Sequence, residues 1–113
     1  MDKLEGKLHK LEFYISLLLQ MVDDTKYPFF KLVIENQLSE EEVTEVIELC
    51  KQTEIDFYVQ KEQGWVIYED LLAQFVGQLN SKLPVNQVIK SLYDQEMYSE
   101  LMGEFLSIIA KHN

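Results

Sequence analysis

Three side chains near the start of the chain have the spacing of a metal site on one helical face. Glu5, His9 and Glu12 are four and three residues apart, and metal sites in helical bundles use carboxylates and imidazoles that project inward from several helices. The di-iron proteins of that type carry a Glu-x-x-His motif, which this sequence lacks. Solvent-facing polar residues beside an apolar stripe explain the same spacing. We therefore expect no metal and no other cofactor.

Residues for nucleophilic catalysis are scarce. Cys50 is the single cysteine, and only His9 and His112 could activate it as a base. Cys50 falls on the same helical face as Val46 and Ile47, which favours a small buried residue over a reactive thiol. The four glycines stand alone, so neither a P-loop nor a dinucleotide-binding motif is present. We predict that the protein is not an enzyme.

A group of aromatic residues could line a ligand pocket between helices. Its members are Phe57, Trp65, Tyr68 and Phe75, with Tyr58 beside them. Pockets for apolar ligands are lined by such rings, and small-molecule binding is therefore the alternative function. Ordinary core packing explains the same residues and is the interpretation we favour.

Composition excludes several classes of partner. The chain has 113 residues, one domain by length (1–113), and a net charge of −10 in which every basic residue is lysine. Nucleic-acid binders usually present a basic face with arginine, so we expect neither nucleic-acid binding nor attraction to an anionic membrane. No stretch resembles a signal peptide or a membrane span. The single cysteine fits a reducing, cytoplasmic location.

Helical periodicity covers nearly the whole chain. No segment alternates over the length of a strand, which predicts an all-α bundle of about five to six helices with a long N-terminal amphipathic helix. Ser39 and Glu42 have the spacing of a capping box, Gly64 is a natural helix terminator, and Gly77 suggests close approach of a neighbouring helix. The predicted helices are 2–22, 28–35, 40–63, 69–80, one from Pro84 to a break at 94–96, and 97–111. Residues 23–28 form the first break, and residues 65–68 a brief extended passage.

The first helix carries a heptad stripe, which predicts pairing with another helix. We refer to it as the α1 stripe, and it consists of Leu4, Leu8, Leu11, Ile15, Leu18 and Val22. A strict four–three stripe is typical of coiled-coil pairing, and Leu17, Leu19 and Met21 broaden it in the second half. We therefore predict a homo-oligomer, a dimer or higher. The N-terminal half of the helix should meet a second chain and the C-terminal half should join the subunit's own core.

Several short motifs in a fixed order resemble one known family. They are L-E-x-Y-I-x-L-L at 11–18, Y-P-F at 27–29, L-S-x-E-E at 38–42, G-W-V at 64–66, F-x-G-Q-L-N-x-K-L at 75–83, L-Y at 92–93 and Y-x-E-L-M at 98–102. Together they are similar to the YhaI-like family, small helical proteins of unknown function from Bacillus-type bacteria. The resemblance implies a multihelical fold in a bacterial cytoplasm and supplies no site residues. The function we expect is that of a self-associating interaction or regulatory module, whose partners are itself and another cytoplasmic protein.

Overall fold

Six helices make up the part of the chain that the computed structural model describes, residues 2–22 and 25–112, and no strand occurs there. The predicted all-α fold with a long N-terminal helix is therefore confirmed. The helices are α1 (Asp2–Met21), α2 (Pro28–Glu35), α3 (Glu40–Glu62), α4 (Glu69–Gln78), α5 (Val85–Asp94) and α6 (Ser99–Lys111). Of the predicted first break, residues 25–27 are non-helical, whereas Asp23 and Asp24 lie outside the described residues.

The beginning of α3 follows directly from its sequence. The Glu42 backbone N–H donates to Ser39 Oγ at 3.1 Å, and the Ser39 backbone N–H donates to Glu42 Oε1 at 3.0 Å. This is the predicted capping box, which satisfies two amides at the helix start. Three glutamates in the first turn also interact favourably with the positive end of the helix dipole.

Three helices end in the same way, at or within a residue of the predicted ends, but the sequence indicated only one of the three left-handed residues. After α2, α3 and α5 the chain passes through a left-handed residue, which is Gln37 (φ 55°), Gly64 (φ 90°) and Glu96 (φ 61°), respectively. In each case two backbone N–H groups return to carbonyls of the last turn, as from Leu38 to Val33 at 3.1 Å. This is the Schellman motif, in which glycine is the usual left-handed residue. Glutamine and glutamate carry no such signal, so Gly64 was the only one of these three left-handed residues that the sequence indicated.

The hydrophobic core is built entirely from α2 to α6 and the loops between them. Helix α5 packs against α6 and α2, and α3 packs against α4. The rings of Phe75 and Phe105 meet at the centre with centroids 5.5 Å apart. The largest fully buried side chains are Phe29, Phe75, Phe105, Ile89, Leu92, Leu101, Met102, Val46, Val88 and Cys50. Residues 28–112 therefore form their own closed core.

One prediction about local packing is wrong, and one predicted helix start lies two residues too early. A Cβ at Gly77 would meet no atom within 4 Å, so no neighbouring helix approaches it closely. The close approach is at Gly103 on α6, where a Cβ would lie 3.2 Å from the ring of Tyr93 on α5. The last helix begins at Ser99 rather than at Met97, because the intervening Tyr98 is left-handed (φ 54°).

Helix α1 contributes nothing to this core. None of its residues is buried, and neither the core nor the half-buried residues packed against it include a side chain from α1. The prediction that its C-terminal half joins the subunit's own core is therefore wrong. The apolar side chains of α2 to α6 fill their own interior, and Leu17, Leu19 and Met21 stay outside it.

Candidate interaction surface

The α1 stripe lies exposed along the first helix. Leu4, Leu8, Leu11, Ile15 and Leu18 expose between 45% and 61% of their surface. Val22 is half-buried and follows the last helical residue, Met21, in a bend. The structure thus places five of the six predicted interface residues on one helix, where a partner can reach them.

The second half of α1 is apolar on nearly every side. Outside the stripe, Phe13, Tyr14, Leu17 and Met21 expose between 40% and 78% of their surface. The exceptions among residues 13–21 are Ser16, whose hydroxyl donates to the Phe13 carbonyl at 2.6 Å, and Gln20. A helix that is apolar all round is normally buried. Within the described chain nothing buries this one.

The dimensions of the molecule show how much surface is left uncovered. Its radius of gyration is 17.1 Å, compared with about 13 Å for a compact chain of this length. Its accessible surface is 8038 Å², and a compact monomer of 13.4 kDa exposes ~6,500 Å², which leaves an excess of roughly 1,500 Å². Stable protein interfaces bury about 800 Å² on each partner. The excess surface is large enough for such an interface.

The charge of α1 differs from that of the remaining chain. The helix carries equal numbers of acidic and basic residues: Asp2, Glu5 and Glu12 against Lys3, Lys7 and Lys10. The net charge of −10 therefore belongs to the residues after α1. Contact between two copies of α1 does not bring like net charges together.

Two groups of polar contacts lie away from α1 and join elements of the core. Glu42 accepts hydrogen bonds from the Ser39 amide at 3.0 Å, from Asn80 Nδ2 at 2.9 Å and from Lys82 Nζ at 3.0 Å. These bonds hold the pKa of Glu42 down at about 2, with the Ser39 amide as the largest cause. They tie the start of α3 to the turn before α5, which is a structural role.

A second polar contact joins α3 to α6. Glu100 accepts hydrogen bonds from Lys61 Nζ and from Tyr58 Oη, the latter at 2.8 Å. The ammonium group of Lys61 and the Tyr58 hydroxyl lower the pKa of Glu100. All three side chains are exposed, so solvent screening weakens this contact.

The predicted aromatic pocket residues divide into two groups. Phe57, Tyr68 and Phe75 are buried, and the rings of Phe57 and Tyr68 lie 4.8 Å apart between centroids. Trp65 is half exposed in the loop before α4 and accepts a hydrogen bond on its carbonyl from Tyr68 Oη at 2.6 Å. Phe57, Tyr68 and Phe75 serve as core side chains. Ligand binding beside Trp65 stays a prediction, which native mass spectrometry can test through a bound mass.

The structure also contains an open cleft that the sequence did not indicate. It has a volume of about 520 Å³ and lies between α2, α5 and α6, within the size range of ligand pockets. Its apolar floor includes Leu32, Leu106 and Ile109, and charged side chains such as Lys90 and Asp94 stand at its rim. The cleft is shallow and open, so it would cover only one side of a bound molecule.

The side chains considered for chemistry lie apart from one another. Cys50 is fully buried in α3, and burial raises the pKa of its thiol to about 12, whereas His9 is exposed on α1. Among residues 2–22 and 25–112, no three His, Cys, Asp or Glu side chains are grouped as metal ligands would be. Within those same ranges, every helix is too short or too polar to cross a bilayer.

Comparison with known protein families identifies one family that matches this chain. A family model described as "protein of unknown function (DUF1878)" matches residues 1–110. The chain belongs to this family. The match runs from the exposed α1 through the closed core to α6, so both parts of the molecule fall within the family domain.

Proposed function

We propose that this member of the DUF1878 family is a non-enzymatic interaction module that self-associates through α1. The observation behind the proposal is that a 20-residue helix carries a heptad stripe and has no buried residue. We also propose a bacterial cytoplasm as its location, in line with the resemblance to the YhaI-like family. The lone Cys50, buried and unpaired, fits such a reducing compartment.

A helix such as α1 needs a partner to be stable. Isolated helices are marginal in water, and most helical stability in proteins comes from packing an apolar face. Helix α1 includes Gly6, which costs about 1 kcal/mol relative to alanine within a helix, and it packs no face against its own core. A second molecule that covers the α1 stripe supplies the missing packing.

A second copy of the chain is the partner that fits best. The α1 stripe is self-complementary, because leucines spaced by four and three residues pack into the gaps of an identical stripe. The neutral charge of α1 adds no repulsion between copies. Its apolar second half offers further surface on which the same interface can extend.

Light scattering on the purified protein tests the proposal. We expect a mass that is a multiple of 13.4 kDa at micromolar concentration. A single species of 13.4 kDa across the concentration range would refute self-association.

A further inference from the structure

Resting on the proposed self-association, we infer that the α1 helices of the copies run parallel and in register. The heptad positions of α1 carry this inference. In the four–three stripe, Leu4, Leu11 and Leu18 occupy d positions, and Leu8, Ile15 and Val22 occupy a positions. Among parallel coiled coils, leucine at d with β-branched residues at a favours two strands. Of the two a positions within the helix, Leu8 and Ile15, one is β-branched, and Val22 continues the stripe just after the helix ends.

The residues beside the stripe match each other in a parallel arrangement. In parallel coiled coils, a g residue lies next to the e residue five positions further along the other chain. Lys7 at g then meets Glu12 at e, an opposite-charge pair that forms twice in a dimer. One heptad later, Tyr14 at g meets Leu19 at e. The parallel arrangement therefore pairs opposite charges with each other and apolar side chains with each other.

An antiparallel arrangement brings the same residues into unfavourable contacts. If Leu4 is set opposite Val22, Glu12 of one copy comes opposite Glu12 of the other. Like charges in that position repel. Leu19 then lies beside Glu5, so one apolar side chain covers a carboxylate instead of another apolar group.

The distribution of charged residues along α1 also favours the parallel arrangement. The charged residues of the helix all lie at or before Glu12, and residues 13–21 carry none. A parallel arrangement aligns the two apolar halves with each other, where Leu17, Leu19 and Met21 can be covered together. An antiparallel arrangement leaves each apolar half against a charged one.

Repulsion between the acidic cores opposes the parallel arrangement, because it brings the cores to the same end of the helices. This term is weakened by salt, since the screening length is about 8 Å at physiological ionic strength. The contacts along the α1 stripe are apolar and do not weaken with salt, whereas the Lys7–Glu12 pairs beside the stripe do. Salt therefore weakens both the repulsion between the cores and the attraction of these pairs, and the orientation is tested by cross-linking instead.

Disulfide cross-linking of variants with one added cysteine tests the orientation. In a parallel pair, Leu4→Cys and Leu18→Cys each place two thiols side by side, within the Cα separation of about 4.4–6.8 Å that a disulfide requires. In an antiparallel pair with Leu4 opposite Val22, the two copies of residue 4 are about 27 Å apart at 1.5 Å per residue. The native Cys50 is fully buried, so the unmodified chain is the control and should stay uncross-linked.

We expect each variant alone to form disulfide-linked dimers under mild oxidation by copper–phenanthroline and dissolved oxygen. Cross-linking only in a mixture of Leu8→Cys and Leu18→Cys chains, which face each other when Leu4 is opposite Val22, would overturn the parallel orientation while leaving self-association intact. If no sample cross-links and the reduced variants and the native chain are monomeric by light scattering, the proposed function itself fails. Reduced variants that keep the native mass but do not cross-link alone also overturn the inference.

Discussion

Replacing Leu8 and Leu11 with aspartate should dissociate the oligomer while the core stays folded. Both side chains lie in the charged half of α1 and expose 51% and 55% of their surface. Neither residue contacts the core formed by α2 to α6. The substitution therefore acts on the interface between copies and on α1 alone.

The magnitude follows from the surface that a partner would cover. Complete burial of a leucine contributes about 1.5–3 kcal/mol, so covering the exposed half contributes roughly 0.8–1.5 kcal/mol. Four leucines are lost from a dimer, which removes about 3–6 kcal/mol, a weakening of roughly 10²- to 10⁴-fold at 1.4 kcal/mol per factor of ten. Desolvation of the new carboxylates weakens association further.

Sedimentation equilibrium over a wide range of protein concentration measures this change. The matched control is His9→Asp with Gln20→Asp, which adds the same two carboxylates to exposed positions of α1 outside the α1 stripe. The control should keep the native mass. Far-UV circular dichroism of the stripe variant should lose at most the signal of the 20 residues of α1. If the stripe variant keeps the native oligomeric mass at every concentration, the reasoning is refuted.

Three further predictions concern the core. Gln95→Ala should lower the free energy of unfolding by about 0.5–2 kcal/mol in urea denaturation, because Gln95 Oε1 accepts the free amide of Phe29 at 2.8 Å and caps α2; an unchanged midpoint would contradict this role. Gly77→Ala should raise the free energy of unfolding by about 0.4–1 kcal/mol in the same measurement. Gly103→Ala should raise it less, because its Cβ would lie 3.2 Å from the Tyr93 ring; equal increases would argue against that contact. Glu42→Gln should destabilise at neutral pH, and its difference from the native chain should shrink as the pH falls from 4.5 towards about 2, where folded Glu42 takes up its proton. Denaturation at several pH values measures this difference in the free energy of unfolding. A difference that stays constant between pH 4.5 and about 2 would contradict the assigned contacts.

The beginnings of α2 and α3 could be predicted from the sequence because their signals are local. Pro28 suits the first turn of a helix since its missing N–H leaves no bond unmade, and α2 begins there. Ser39 and Glu42 satisfy each other's backbone amides within four residues. The cap of α2 could not be predicted in the same way, because its acceptor, Gln95, lies 66 residues away.

The candidate surface could be predicted only in part. Spacing alone identified the α1 stripe, since an apolar repeat of four and three residues describes one face of a helix. It could not tell whether that face packs on the subunit's own core or on another chain, because burial against either one satisfies the same pattern. The aromatic residues show the same limit, for Phe75 is buried against Phe105 while Trp65 is half exposed.

The sequence by itself determined the helices of this protein, their main starts and the stripe on the first of them, because these depend on contacts within a few residues. The tertiary structure decided which apolar faces are used up inside the subunit. Helices α2 to α6 close a core around Phe29, Phe75 and Phe105, each fully buried, without a side chain from α1. The long helix is left with its apolar surface exposed, because burial depends on contacts between helices far apart in the sequence.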